Sequence, residues 1–251
     1  MDIIKKRAIF IGATDTGVGK TLVSALLVDF LRRRGIDAGY QKWAATGCEE
    51  EVPDDLATVR ALADDRPRPT AGAAGAENWC KPRALPGSNL ELTVPYRFRL
   101  PASPHLAAEQ EGREIDAARL VSSFEQALAA HEVLVVEGVG GMLVPLNRRL
   151  LLIDLVAELA LPTLLVARSG LGTINHSLLS LEALRRREIP VVGLVMSDEE
   201  AEPPELIVED NRRTIAELGQ TTIFGRLPRC PDHASARTAF APIGHEIAGF
   251  L

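Results

Sequence analysis

A glycine loop between a buried strand and an amphipathic helix is the feature that most constrains this chain. "RAIFIG" is a short apolar run, and "ATDTGVGKT" at 13–21 follows it directly. From Thr21 to Arg34, apolar residues recur at the spacing of one helix face, and Gly35 is placed as a C-terminal cap. Strand, glycine loop and helix in this order predict a phosphate-binding loop at the positive end of the helix dipole.

The loop departs from the usual pattern, G-x-x-x-x-G-K-[ST]. Its second half is regular, but Thr14 stands where the first glycine belongs, and Gly12 lies two residues early. A simple glycine turn before a capped helix is therefore the competing interpretation. If the loop binds phosphate, the Thr21 hydroxyl is placed to contact Mg²⁺. The expected nucleotide contacts are Thr16, Gly17, Val18, Gly19, Lys20 and Thr21.

The rest of the chain alternates apolar runs with helical segments. Strands are expected at "DAGYQK", "EVLVVEG", "LPTLLVAR" and "IPVVGLVMS", and helices near 116–130, 174–187 and 204–218. Nearly unbroken apolar runs are typical of strands covered on both faces of a parallel sheet. The sequence predicts an α/β fold, a single doubly wound P-loop NTPase-like domain over 1–251 with a mostly parallel sheet. Residues 66–95, rich in Pro, Gly and Ala, are expected to form an irregular excursion.

Composition narrows the class of protein. The net charge is −6 over 251 residues, so no basic field favours nucleic acid. "AIFIGA" is too short for the apolar region of a signal peptide, and no apolar run is long enough to cross a bilayer. Cys48, Cys80 and Cys230 do not have metal-ligand spacing and are typical of thiols in a reducing compartment. We expect a cytoplasmic protein that binds neither nucleic acid nor membrane.

The glycine loop is similar to the dethiobiotin synthetase pattern G-T-D-T-x-V-G-K-T, with Ala13 in place of its first glycine. "YQKWAATG" resembles that family's K-P-x-x-[ST]-G, with Lys42 and Thr46 retained and Trp43 at the proline position. Asp55 in "PDDLATVR" matches a metal-binding aspartate. Three further segments follow in the family's order, "PASPH", "VVEGVGGMLVPL" and "GLGTINH".

The resemblance implies an ATP- and Mg²⁺-dependent ligase that closes a ureido ring. Its substrates would be 7,8-diaminononanoate, CO₂ and ATP, and its products dethiobiotin, ADP and phosphate. Lys42 and Lys20 would be the catalytic cations that stabilise the transferring phosphoryl group. Thr46 would hold the diamine or its carbamate.

A hard-oxygen metal site is expected from Thr21, Asp55 and Glu137. Glu137 ends an apolar strand, and the carboxyl ends of parallel strands are where such folds bind Mg²⁺–nucleotide. Each residue also has a plainer interpretation. Glu137 could be a surface acid, Asp55 a helix-start residue, and Lys42 a solvent-exposed lysine.

Two glycine-containing segments are candidate substrate sites. Gly138, Gly140 and Gly141 carry no side chain and would allow close approach to the backbone. Gly172, Thr173 and Asn175 begin a predicted helix whose first turn could bind an anion, unless Thr173 or Asn175 merely caps it. In the family this segment receives the substrate carboxylate across a homodimer interface, which implies a homodimer here.

The base end of the nucleotide site is expected near Ser197 and Pro228. The family has an asparagine at the position of Ser197, and its amide reads the adenine edge. A serine hydroxyl cannot make the same two-point contact.

Two other functions remain open from the residues. A partition or positioning ATPase would carry a lysine early in the loop, as in K-G-G-x-x-K-[ST], where this chain reads "GATDTG". An amidating synthase of the cobyrinate type would need a glutaminase domain, for which the sequence after residue 198 has no evident room.

Overall fold

Six parallel strands form the central sheet of the computed structural model, which describes residues 7–64, 89–198 and 203–251. Their order across the sheet is β10-β9-β8-β1-β5-β2. The strands are β1 (Arg7–Ala13), β2 (Ala38–Lys42), β5 (Val133–Glu137), β8 (Thr163–Arg168), β9 (Val191–Ser197) and β10 (Ile223–Leu227). The prediction of a parallel α/β sheet is therefore confirmed.

Two small ribbons and the helices complete the described fold. β3 (Ala44–Thr46) pairs in parallel with β4 (Tyr96–Phe98), and β6 (Pro145–Asn147) pairs antiparallel with β7 (Leu150–Leu151). The helices are α1 (Lys20–Arg33), α2 (Asp54–Asp64), α3 (Leu90–Thr93), α4 (Pro104–Gln110), α5 (Ala117–Ala130), α6 (Leu152–Glu158), α7 (Thr173–Arg185), α8 (Glu205–Leu218) and α9 (His233–Ala248).

Each face of the sheet is buried under helices. Ile9 and Val135 face one apolar cluster, which includes residues of α1, α2 and α9. Phe10 and Val136, one position further along, face the opposite cluster, which includes residues of α5, α6 and α7. This alternation with period two explains why the strands read as continuous apolar runs.

The structure extends the sequence-based assignment in several places. β10 and α9 were not predicted, because "IFGRL" is short and α9 carries Pro242 inside a helical stretch. The expected excursion lies outside the described residues over 66–88, and α3 forms one helical turn within its remainder. Within the described ranges, no helix has the length and apolar character needed to span a membrane.

Candidate active site

The phosphate loop connects β1 to α1 at the centre of the sheet. Gly17 and Gly19 have φ angles of 67° and 90°, in the left-handed region that favours glycine. Gly19 is the N-cap of α1, and Lys20 begins the helix. The Lys20 ammonium donates a hydrogen bond of 3.1 Å to the Asp15 carbonyl, so the side chain folds back over the loop. Its position at the helix N-terminus suits a cation that holds phosphate.

Thr21, Asp55 and Glu137 meet beside this loop although they come from α1, α2 and β5. The Thr21 hydroxyl lies 2.6 Å from Asp55 Oδ1 and 2.8 Å from Glu137 Oε1. A hydroxyl has one proton and can donate to only one of these carboxylates at a time. The close approach of three oxygens is therefore better suited to a cation than to a hydroxyl proton alone.

Lys42 reaches the same carboxylates from the end of β2. Its Nζ atom lies 2.6 Å from Asp55 Oδ2 and 2.9 Å from Glu137 Oε1, and Tyr40 donates a 2.8 Å hydrogen bond to Glu137 Oε2. Glu137 has no exposed surface, and Lys42 is 6% exposed. The interpretations of Glu137 as a surface acid and Lys42 as a solvent-exposed lysine are therefore wrong. Asp55 is both a first-turn residue of α2 and a member of this cluster.

Burial and charge act against each other in this cluster. Burial alone would lower the pKa of Lys42, but the charges of Glu137 and Asp55 outweigh it and raise that pKa. Burial alone would raise the pKa of Asp55, but the Lys42 ammonium, by charge and hydrogen bonding, lowers it. Both directions agree on a charged pair. Burial, reinforced by the Glu137 charge, raises the pKa of Tyr40 well above its usual value.

Lys20 has the opposite balance. Its burial outweighs the attraction of Glu137 and the other acids, so the pKa of its ammonium is lowered. An anion bound at the loop would favour the charged form of this side chain.

The glycine segment after Glu137 packs against the first half of the phosphate loop. The Gly138 N–H donates to the Ile11 carbonyl at 3.0 Å. A Cβ atom at Gly140 would lie 2.7 Å from Val144 Cγ2 and 3.5 Å from Thr16 Oγ1. At Gly141 it would lie 3.3 Å from the Thr14 carbonyl oxygen. The absence of side chains is thus what allows this segment to lie against the loop.

Thr46 ends β3 half-buried, opposite Phe98 of β4, three residues beyond Trp43. The short β3–β4 ribbon therefore holds the predicted substrate threonine just past the end of β2. No described hydrogen bond of its hydroxyl marks a binding role, so that role stays a prediction.

The start of α7 also lies near the phosphate loop. Gly172 is the N-cap of α7 with φ of 88°, so neither Thr173 nor Asn175 holds the capping position that the plainer interpretation gave them. Thr173 is fully buried with its hydroxyl 3.5 Å from Ser177 Oγ, whereas Asn175 is exposed. Arg168, which ends β8 shortly before this helix, donates a 3.0 Å hydrogen bond to Asp15 Oδ2 in the phosphate loop.

The predicted base end is a second polar cluster, at the ends of β9 and β10. Ser197 is buried and pairs with Leu227 of β10, which directly precedes the half-buried Pro228. The carboxylate of Asp198 accepts hydrogen bonds from Ser169 and, at 2.6 Å, from Arg226. Both carboxylate oxygens of Asp198 are therefore engaged by the protein itself.

Comparison with known proteins identifies the family. The chain is 39% identical over 239 residues to the ATP-dependent dethiobiotin synthetase BioD of Anaeromyxobacter dehalogenans (strain 2CP-C), covering 94% of this chain and 96% of that protein. It is 41% identical over 236 residues to the BioD of Rhodopseudomonas palustris (strain TIE-1), covering 93% and 92%. This chain belongs to the dethiobiotin synthetase family.

Other comparisons agree with this membership. The chain is 44% identical over 225 residues to a biotin biosynthesis bifunctional protein of Bordetella avium (strain 197N), matching 90% of this chain and 40% of that protein. A family model described as an AAA domain matches residues 7–237. The fold is that of the P-loop NTPases, and the MinD cell division ATPase of Pyrococcus furiosus superposes with a TM-score of 0.56. That likeness covers 98% of this chain and 100% of MinD at 16% identity, so it concerns the fold alone.

Several residues of this dethiobiotin synthetase family member were missed by sequence reasoning. Tyr40 lies two positions before Lys42 and therefore on the same face of β2, so the strand period could have indicated it. The Asp15–Arg168 pair joins residues 153 positions apart, and no local pattern signals it.

Proposed function

We propose that this chain is an ATP-dependent dethiobiotin synthetase of biotin biosynthesis, which closes a ureido ring on 7,8-diaminononanoate with CO₂. One observation carries the proposal. Lys42, at the carboxyl end of β2, directs its ammonium into the carboxylate cluster beside the phosphate loop. A simple nucleotide-binding loop needs no second buried lysine there. A ligase that moves a phosphoryl group onto an anionic substrate does.

The two lysines have separable roles. Lys20 and the loop N–H groups lie where the nucleotide phosphates bind in such loops, and they hold these phosphates in the ground state. Lys42 lies at the end of β2 in the same sheet, separated from β1 by β5. It acts on the charge that develops as the γ-phosphoryl group moves. Its contacts with Glu137 and Asp55 keep it charged and fixed before the substrate arrives.

The donor set fits Mg²⁺. Thr21, Asp55 and Glu137 present hard oxygens, and Mg²⁺ is usually held by one or two carboxylates together with phosphate and water. One hydroxyl and two carboxylates are fewer ligands than the octahedral shell of Mg²⁺ needs, so phosphate and water would complete it. When bound, Mg²⁺ would neutralise phosphate charge. The Lys42 ammonium bridges the two carboxylates beside the loop.

The reaction is a sequence of three substrate-centred steps. One amine of the diamine adds to CO₂ with loss of a proton and forms a carbamate. A carbamate oxygen takes the γ-phosphoryl group of ATP, ADP leaves, and a carbamic–phosphoric anhydride results. The second amine attacks the carbonyl carbon, phosphate leaves with the bonding pair, and the amine loses its proton. Thr46 and the glycines at 138, 140 and 141 would hold the diamine and the carbamate.

A homodimer would complete the substrate site. The start of α7, with Gly172, Thr173 and Asn175, would bind the substrate carboxylate of the partner subunit through free N–H groups and the Asn175 amide. Asn175 in the first turn of α7 and Leu171 just before the N-cap are both exposed, which supports an intermolecular role for this segment.

The test is product formation by the purified chain. Supplied with diamine, bicarbonate and Mg²⁺–ATP, it should form dethiobiotin, detected by mass spectrometry, with one ADP released per product. ATP hydrolysis should depend on both diamine and bicarbonate. Slow hydrolysis indifferent to both would instead indicate a partition-type ATPase.

A further inference from the structure

We propose that Trp43 is a positioning residue for Lys42, and that its buried indole fixes the end of β2 so that the ammonium meets Glu137 and Asp55. The inference rests on the proposed function, in which Lys42 acts on the transferring phosphoryl group. The Trp43 side chain lies on the opposite face of the sheet from these carboxylates and acts through the backbone that it shares with Lys42. It stands at the position where the family motif has proline.

The alternation of β2 separates the two roles. Tyr40 and Lys42 point to one face of the sheet, where both contact Glu137. Gln41 and Trp43 point to the opposite face, and Trp43 joins the apolar cluster there. One face of the strand end therefore carries the chemistry, while the other anchors it.

The indole is held from two sides. It has no exposed surface, and its ring centroid lies 5.2 Å from that of Phe10 on β1. Its Nε1–H donates a 3.2 Å hydrogen bond to Gln41 Oε1, and Gln41 Nε2 in turn donates to the Leu92 carbonyl at 2.7 Å. Phe10 also fills the space where a Cβ of Gly138 would lie, at 2.7 Å. The anchor thus connects β2, β1 and the glycine segment that follows Glu137.

The backbone adds a second constraint that proline could not provide. Lys42 and Glu137 are register partners, and the Trp43 N–H donates to the Glu137 carbonyl at 3.4 Å. Proline has no N–H and would remove this bond. The hydrogen bonding between β2 and β5 therefore continues one residue past Lys42. A shift of 1 Å in a catalytic group can cost about 100-fold in rate, so a loosened strand end is expected to be visible in kcat.

The decisive measurement compares Trp43→Ala with a matched control. Phe240→Ala removes a similarly buried aromatic ring from α9, where Phe240 packs on Phe30 towards the C-terminal end of α1, the opposite end from Thr21. Both variants should lose thermal stability. Only Trp43→Ala should lose about 100-fold in kcat, with the KM for ATP nearly unchanged, while Trp43→Phe should recover most of the rate because it keeps a ring against Phe10. Equal kcat in the two alanine variants, measured below their melting temperatures, would overturn the proposal.

A coupled pair of variants distinguishes positioning from general damage. If Trp43 acts through Lys42, Trp43→Ala should lower kcat no further in a Lys42→Ala background. If the double variant instead loses kcat by the product of the two single losses, the proposal is contradicted. If Trp43→Ala does not fold, Trp43→Leu leaves a smaller cavity and replaces it in both comparisons, with an expected loss of about tenfold, between the wild type and the full loss.

A crystal structure gives a readout that does not depend on the reaction. In Trp43→Ala or Trp43→Leu, the distance from Lys42 Nζ to Glu137 Oε1, 2.9 Å in the native chain, should lengthen or become heterogeneous. An unchanged distance would overturn the positioning role even if activity fell. A wild-type chain that forms no dethiobiotin would overturn the proposed function while leaving this structural result decisive for Trp43.

Discussion

The two ends of the proposed nucleotide crevice are built differently, although both lie at the carboxyl edge of the same sheet. At the β2–β5 end, Lys42, Asp55, Glu137 and Thr21 converge from separate elements on one point. At the β9–β10 end, the buried carboxylate of Asp198 is already occupied by protein groups. The first end brings together the groups proposed to receive phosphate and metal, whereas the carboxylate of Asp198 at the second end is engaged by protein groups.

The difference has an energetic origin. Charges buried at the β2–β5 end are mutually compensated, and removing one partner leaves another buried charge unpaired, which is strongly destabilising. At the other end, the buried Ser197, at the position of the family's asparagine, is small and neutral. Variants should therefore have large effects at the first end and modest effects at the second.

Lys42→Ala should have the largest effect. We expect kcat for dethiobiotin formation to fall about 100- to 1000-fold, because a preorganised cation for the developing charge is lost. ATP binding, measured by calorimetry, should be largely retained, since Lys20 and the loop N–H groups hold the ground-state phosphates.

Lys42→Met, which keeps the stem without the charge, is the control for packing and should fall as far as Lys42→Ala. A loss below about tenfold in either variant, under the range for a preorganised donor, would show that Lys42 is not the catalytic cation.

Glu137→Gln should have the next largest effect, on the metal. It keeps the shape of the side chain but removes one of two carboxylates beside Thr21. The Mg²⁺ concentration for half-maximal rate should rise about 10- to 100-fold, the range known for residues that support metal ligands. Glu125→Gln, an exposed glutamate on α5, is the control and should titrate like the wild type. A Glu137→Gln titration that matches this control would remove Glu137 from the metal site.

The sequence predicts the secondary structure of this molecule better than its side-chain contacts. The sheet and α1 could be predicted because apolar period and glycine loop are local signals. Lys42 and Glu137 could be expected to meet because both end parallel strands, which share an edge of the sheet. The strand period places Tyr40 on the same face of β2 as Lys42, but its hydrogen bond to Glu137 and the engagement of Asp198 by Arg226 could not be predicted, since they depend on which strands are neighbours and which rotamers pack.

A shared site across a homodimer is the third prediction. Lys42→Ala and Asn175→Ala chains should each be nearly inactive alone. If the start of α7 serves the partner's site, mixing them in equal amounts should restore about a quarter of wild-type activity, because half of the two-fold dimers are mixed and each has one intact site.

Subunit exchange is checked by mass spectrometry of differently tagged chains, and Lys42→Ala mixed with itself is the control. Activity that stays at the level of the separate variants after complete exchange would show that each chain uses its own α7.

The smallest effect is expected at the base end. Ser197 ends β9 with one hydroxyl, which can donate or accept but cannot match the paired donor and acceptor of adenine. The wild type should therefore discriminate weakly among ATP, GTP and CTP in kcat/KM at fixed Mg²⁺. Ser197→Asn offers the two-point contact and should raise the preference for ATP by about 1–3 kcal/mol, by analogy with amide–adenine pairing in DNA, or about fivefold at the lower bound.

Ser197→Ala is the control and should leave the order of nucleotides unchanged, because the hydroxyl it removes carries little base readout. A wild-type preference for ATP above about 200-fold exceeds what such a pair explains, and it would mean that backbone groups near Pro228 or Asp198 already read the base.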